Sequence, residues 1–128
     1  MVGALLNWLS RRQPRLAPSL YEVLPHASMA PRSLPRAEVV AAEQIAGTTR
    51  HPSNTTVDFL PIPELRSQHW RDNWQRMLQA QERDVFLPPV QLVKFDRRYF
   101  VVDGHKRVAA ARRVGAALDA IVVELRAA

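Results

Sequence analysis

The stretch Val101-Val102-Asp103-Gly104-His105-Lys106-Arg107-Val108-Ala109-Ala110-Ala111-Arg112-Arg113 constrains this chain more than any other. Two valines end an apolar run, Asp103-Gly104 makes a polar turn, and a basic, alanine-rich helix follows. A strand feeding a helix through so short a turn must join a sheet, and the helix must pack back against it. The same order gathers the free N–H groups of the first helical turn, the positive end of the helix dipole and the side chains of His105, Lys106 and Arg107. That arrangement suits a phosphate group.

The flanks supply the rest of the sheet. Val90 to Phe95 and Arg98 to Val102 are rich in β-branched and aromatic residues, and Asp96-Arg97 links them, so a hairpin is expected. The link lacks the Asn-Gly or Asp-Gly pair favoured in such turns, which leaves its type open. Ala120 to Leu125 reads as a closing strand, reached by a helix over Lys106–Gly115 that crosses the sheet. The architecture expected is α/β, a mixed sheet with a hairpin, a phosphate-binding turn and packed helices.

At 100° per residue, Val108, Ala110, Ala111 and Val114 fall on one side of that helix and Lys106, Ala109, Arg112 and Arg113 on the other. Arg107 falls with the apolar set. In the first turn it can reach out of the sheet's end toward a ligand, which singles it out, or it can pair with Asp103 or Glu43 for structural reasons alone. Arg112 and Arg113 are expected on a solvated face. Gly104 offers a positive φ or room for a ligand. Asp103 can accept from the turn's own N–H groups or serve a metal or a proton transfer. His105 can bind phosphate as a cation, act as acid or base, or cap the helix.

Upstream, Ser67 is placed to cap a helix running to about Arg83, with Trp70, Trp74, Met77, Leu78 and Gln81 at three- and four-residue steps. Trp70 and Trp74 form an i,i+4 pair that reads as core in preference to base stacking. Glu38 to Ala42 is expected as a strand and Gly47 to Asn54 as a loop carrying Arg50 and His51. Pro14, Pro18, Pro25, Pro31 and Pro35 leave little room for regular structure before that, although Ser19 can cap a short turn through Leu24. Residues 1–36 are therefore expected as an appendage and 37–128 as the folded domain. Gly3 to Leu9 is apolar at helical spacing, too short for a membrane span and followed by Arg11-Arg12, so a helix that docks on a partner is expected there.

Composition narrows the chemistry. The chain of 128 residues has no cysteine, which removes thiol nucleophiles, thiolate metal sites and redox cycling. His26, His51, His69 and His105 lack ligand spacing, so no structural metal site is expected. A formal charge of +6 favours an anionic partner, nucleotide or nucleic acid, and a cytoplasmic setting is the default expectation. Apart from Lys94 and Lys106 the cations are all arginine, and a chain rich in Arg and Ala can also reflect genomic base composition.

The stretch from Leu87-Pro88-Pro89-Val90 through Tyr99-Phe100-Val101-Val102-Asp103-Gly104-His105-Lys106-Arg107-Val108 to the closing Ile-Val-Val strand resembles the ParB/sulfiredoxin superfamily. Upstream, Ile45 to Arg50, Asp58-Phe59 and the Trp70 helix are similar in order to small ParB-like nuclease-domain proteins. The resemblance implies a phosphate-handling turn at Asp103–Arg107. ParB proteins carry Gly-Glu-Arg-Arg there, and this chain keeps Gly104 and Arg107 but has His105 and Lys106 between them. Sulfiredoxins place their nucleophilic cysteine where His105 stands, so reduction of a sulfinic acid is excluded. The free serine kinases of the superfamily carry Asp-Gly-His-Thr-Arg, matched by Asp103, Gly104, His105 and Arg107. Their catalytic glutamate lies near the first strand, where Glu43 is the candidate.

Three readings follow. The first is a binding module that holds a nucleotide or nucleic-acid phosphate on Gly104, His105, Lys106 and Arg107, with Arg50 closing the site, in DNA-associated regulation. The second is an enzyme, a metal-dependent nuclease or a phosphotransferase using a nucleoside triphosphate with Mg2+, in which Asp103 and His105 are catalytic. The third is a non-catalytic interaction domain that recruits a partner through its N-terminal helix.

Overall fold

The computed structural model describes residues 15–51, 53–83 and 87–127. Five strands form one mixed sheet: β1 (Arg36–Ala41), β2 (Ile45–Thr48), β3 (Val90–Phe95), β4 (Arg98–Asp103) and β5 (Ala117–Glu124). Their spatial order is β1-β5-β3-β4-β2. β3 and β4 pair antiparallel as the expected hairpin, with Lys94 opposite Tyr99 and Phe95 opposite Arg98. Asp96 (φ 51°) and Arg97 (φ 65°) both take the left-handed conformation. Positive φ at both central residues is the primed turn that matches strand twist, formed here without glycine.

The closing strand begins earlier than expected, at Ala117, and is paired on both sides. It runs parallel to β3, with Leu92 opposite Val122, and antiparallel to β1, with Val40 opposite Leu118. The crossover between β4 and β5 is helix α3 (His105–Val114). It ends at Gly115, which takes φ 67° and returns its N–H to the last turn. Helix α2 (Gln68–Glu82) opens with Ser67 accepting from the Trp70 N–H at 3.1 Å, as the cap requires. The side chain of Gln81, expected on its apolar stripe, lies outside the described residues.

The core lies between the sheet and the two long helices. Val90, Leu92, Val101, Val122 and Val40 from the strands meet Val108, Ala109 and Ala110 from α3 and Trp74 from α2. The helical wheel needs two corrections here: Ala109 is buried and Val114 is 62% exposed. Helix α3 packs on α2 as well as on the sheet, so its buried arc is wider than a single sheet contact demands and ends before Val114.

β2 was not expected, because its four residues, Ile-Ala-Gly-Thr, lie partly in a polar stretch. It exists by parallel pairing with β4, Ile45 opposite Tyr99 and Thr48 opposite Val101. Gly47 is required by the crossing chain: a Cβ there would collide with the Pro18 carbonyl oxygen and stand 2.9 Å from the Phe100 ring.

The proline-rich stretch from Arg15 to Pro35 was expected as an appendage, yet it packs on the sheet. Leu16 bridges Thr56, Ser19 bridges Thr48 and Arg32 bridges Leu125. Leu20 and Ala27 form a second apolar cluster with Val93, Phe100 and Leu125 on the face away from α3. Ser19 starts a short helix α1 (Leu20–Val23) through a full capping box with Glu22. Prolines prevented long elements there without preventing burial. The apolar segment Gly3–Leu9 lies outside the described residues. Among the described residues no helix is long and apolar enough to cross a membrane.

Candidate functional site

The turn between β4 and α3 opens into a cleft of about 450 Å³ lined by Arg50, Asp103, Gly104, His105, Lys106 and Arg107 on its polar side. Phe59, Pro61, Leu65, Trp70 and Met77 form the apolar side. A volume of this size accommodates a small ligand, and the split between one polar end and one apolar wall gives that ligand an orientation.

The polar end is built on a helix N-terminus. Gly104 is the N-cap with φ 104°, and being glycine it supplies no capping side chain. The lack of a side chain is needed, since a Cβ would lie 2.6 Å from Val90 Cγ1. The first intrahelical bond runs from Val108 N–H to the Gly104 carbonyl at 3.0 Å, and α3 has no side-chain cap. The N–H groups of His105, Lys106 and Arg107 precede that bond and are the orphan donors of the helix start.

Arg107 sits where the wheel placed it, at the sheet's end, but its guanidinium is committed. Nη1 donates to the carbonyls of Pro88 at 2.6 Å and Pro89 at 3.2 Å, and Nη2 pairs with Asp103 at 3.4 Å. Its side chain is only 14% exposed, against 67% for Asp103. The structural pairing is thus realised, and Asp103 faces Arg107 and solvent, with no bond to the turn's own N–H groups among the described residues.

The uncommitted cations are Lys106 and Arg50. Lys106 places Nζ 5.5 Å from the centre of the Trp70 ring, and burial lowers its pKa from the usual lysine value. Arg50 is exposed at the side chain, with no carboxylate partner among the described residues, but its backbone is held: its N–H donates to Thr48 Oγ1 at 3.0 Å and its carbonyl accepts from Ser19 Oγ at 2.8 Å.

His105 is not the cation that was one of its expected roles. It is 4% exposed, with Nε2 at 2.7 Å from Thr48 Oγ1 and no partner for Nδ1 among the described residues. Burial first, and the positive charge of Arg50 second, push its pKa down to about 4, against a smaller pull upward from Asp103. At neutral pH the ring is an uncharged hydrogen-bonding group.

The apolar wall was the part that sequence reasoning missed. Trp70 stacks on Trp74, with centroids 5.7 Å apart and planes 13° apart, but only Trp74 is buried in the core. Trp70 is half-buried and faces the cleft, with the Arg66 guanidinium 5.9 Å from its centre. Phe59 is buried although its φ is 64°, a conformation that is strained for an aromatic residue and is maintained by packing. Arg112 lies over it at 5.1 Å and donates to the Val57 carbonyl at 3.3 Å. Arg112 and Arg113 are both exposed, as expected, and Arg112 also braces the cleft wall from behind. Glu43, the candidate for a kinase-type glutamate, does not line this cleft.

No protein family and no curated protein matches this sequence. Among solved structures, sulfiredoxin from Arabidopsis thaliana matches with a TM-score of 0.46 and 12% identity, over 68% of this chain and 83% of its own. The likeness is one of chain path and transfers no residue role. The protein is of the α/β class, with a five-stranded mixed sheet and a two-sided cleft at the C-terminal end of β4.

Proposed function

We propose that the cleft binds a phosphorylated small molecule of nucleotide type, its phosphate on the first turn of α3 and its base against Trp70. The observation that supports this most is the uncapped start of a ten-residue helix opening into a two-sided cleft. Three backbone N–H donors, the helix dipole, Lys106 and Arg50 favour an anion at one end. Aromatic and aliphatic side chains favour a planar apolar group at the other. Gly104 gives the turn its left-handed backbone and its close approach to Val90, and Arg107 holds the turn against the start of β3.

The fit to a triphosphate with Mg2+ is partial. Asp103 is the only carboxylate lining the cleft among the described residues, and Mg2+ arriving with phosphates commonly takes one or two carboxylates. When bound, the metal would neutralise phosphate charge. The geometry favours binding over catalysis by His105, because its Nε2 is taken up by Thr48 and a ring with a pKa of about 4 is a weak base at pH 7.

Thermal-shift and calorimetric titration with nucleoside mono-, di- and triphosphates, each with and without Mg2+, tests the reading. A ligand that binds only the folded state raises the melting temperature with concentration. Saturable binding of a nucleotide that is lost with Lys106→Met supports a defined pocket. Binding only to long duplexes, falling steeply with salt and indifferent to Lys106, would replace it with a diffuse nucleic-acid surface.

A further inference from the structure

Thr48 was not among the expected site residues, yet its hydroxyl joins the two halves of the site. Thr48 is wholly buried at the end of β2, and its own N–H is held by the Pro18 carbonyl at 2.9 Å. The Oγ1 atom accepts from the Arg50 N–H at 3.0 Å and lies 2.7 Å from His105 Nε2. A threonine hydroxyl has one proton and two acceptor positions, and a neutral imidazole has one protonated and one bare nitrogen.

Two arrangements of the protons can be compared. If Nε2 carries the imidazole proton and donates to Oγ1, the Thr48 proton has no acceptor among the described residues. The bare Nδ1 then also has no donor, which leaves two buried polar groups unmatched. If the Thr48 hydroxyl donates to a bare Nε2, its proton and one of its two acceptor positions are used. The Nδ1–H is then without a partner, Nδ1 being the atom of this ring that the fold leaves unbonded, and the second acceptor position of Oγ1 is unused on an oxygen that already makes two bonds. An unmet donor or a wholly bare acceptor costs about 1–3 kcal/mol and a spare lone pair on a bonded oxygen costs less, so the second arrangement is favoured.

We propose that Thr48 is a positioning residue that fixes His105 as the Nδ1–H tautomer, so that a neutral ring donates a hydrogen bond to a ligand oxygen in the cleft. This rests on the anion-binding reading of the cleft, which His105 lines, and it requires the wall over the buried Nδ1 to give way to the ligand oxygen. The donor adds to the backbone N–H groups beside it without adding charge. Its low pKa keeps the ring neutral and the tautomer intact across the physiological range. The second bond to Thr48, from the Arg50 N–H, means that the same hydroxyl also sets the backbone of the loop that carries the Arg50 cation.

The test uses the full chain uniformly labelled with 15N, read at pH 7 by long-range 1H–15N correlation for the imidazoles and one-bond 1H–15N correlation for the amides, with inorganic pyrophosphate as the probe. Wild type and Thr48→Ser should show a protonated Nδ1 and a bare Nε2. Thr48→Val should lose that preference and bind pyrophosphate about tenfold more weakly, with Thr48→Ser near wild type. Pyrophosphate should shift the Nδ1–H signal together with the Lys106 and Arg107 amides. A protonated Nε2 in the free wild-type protein overturns the tautomer assignment whatever the cleft binds, and needs no variant to fold. Shifts at the Lys106 and Arg107 amides with none at Nδ1–H overturn the donor role while leaving the anion site standing. No shift at any of the three overturns the anion reading and the donor role with it, even where the tautomer is as assigned.

Discussion

The guanidinium of Arg107 donates to the carbonyl of Pro88, 19 residues earlier in the chain, at 2.6 Å. This contact ties the first turn of α3 to the segment that leads into β3, and so fixes the turn on which the cleft is built. It gives Arg107 a supporting role where the helical wheel alone suggested a direct ligand contact.

The first prediction follows from that bond. Arg107→Ala removes a largely buried, charge-assisted contact to two carbonyls and should destabilise the fold by about 1.5–3 kcal/mol. Arg107→Lys should recover only part, since an ammonium lacks the planar fork that reaches both carbonyls and Asp103. Urea denaturation of the three proteins measures this. Unchanged midpoints would show that the clamp contributes nothing.

Lys106 and Arg113 should separate site from surface. Lys106→Met keeps an unbranched stem against Trp70 but removes the charge, and should weaken nucleotide binding by roughly one to two orders of magnitude. Arg113→Ala should have little effect, because an exposed charge is screened by salt. Isothermal titration at a single salt concentration makes the comparison. Equal losses would point to a diffuse field.

Gly104→Ala should be poorly tolerated. An alanine at φ 104° is strained, at about 1–3 kcal/mol, and its Cβ would press on Val90 Cγ1. Both effects act on the turn itself, so a lower melting temperature should accompany lost binding. A variant as stable as wild type would mean that the turn relaxes without cost.

The hairpin offers the opposite sign. Arg97 takes φ 65° without being glycine. Arg97→Gly should stabilise by a few tenths to about 1 kcal/mol, the relief of left-handed strain exceeding the added freedom of the unfolded chain. Chemical denaturation reads it directly, and destabilisation would contradict it.

His105 sets a pH dependence. Its folded pKa is about 4, and that of an ordinary histidine, as in the unfolded chain, is 6.5. Between these values the unfolded state holds the proton that the folded state refuses, so stability falls as pH drops from 6.5 toward 4 and rises in the other direction. One such group contributes a slope of up to about 1.4 kcal/mol per pH unit. Replacing it by Gln should flatten the profile in that window. Equal slopes in the two proteins would mean that His105 titrates normally.

Much of this protein is decided by local sequence. β-Branched runs around Asp96-Arg97 specify the hairpin, Ser67 and Ser19 specify helix starts, and Asp103-Gly104 followed by an alanine-rich segment specifies the turn and α3. These signals are short-range, depending on backbone preferences and side chains a few residues apart. The tertiary structure alone decides the rest. β2 exists because β4 lies beside it, and the proline-rich stretch is buried because Leu20 and Ala27 find Phe100 and Val93. Long-range contact likewise gives Arg107 its carbonyls at Pro88 and Pro89, and His105 its neutral ring against Thr48. Burial and hydrogen-bond partners set the roles of these charged and titratable side chains, and those are properties of the folded neighbourhood that residue spacing does not contain.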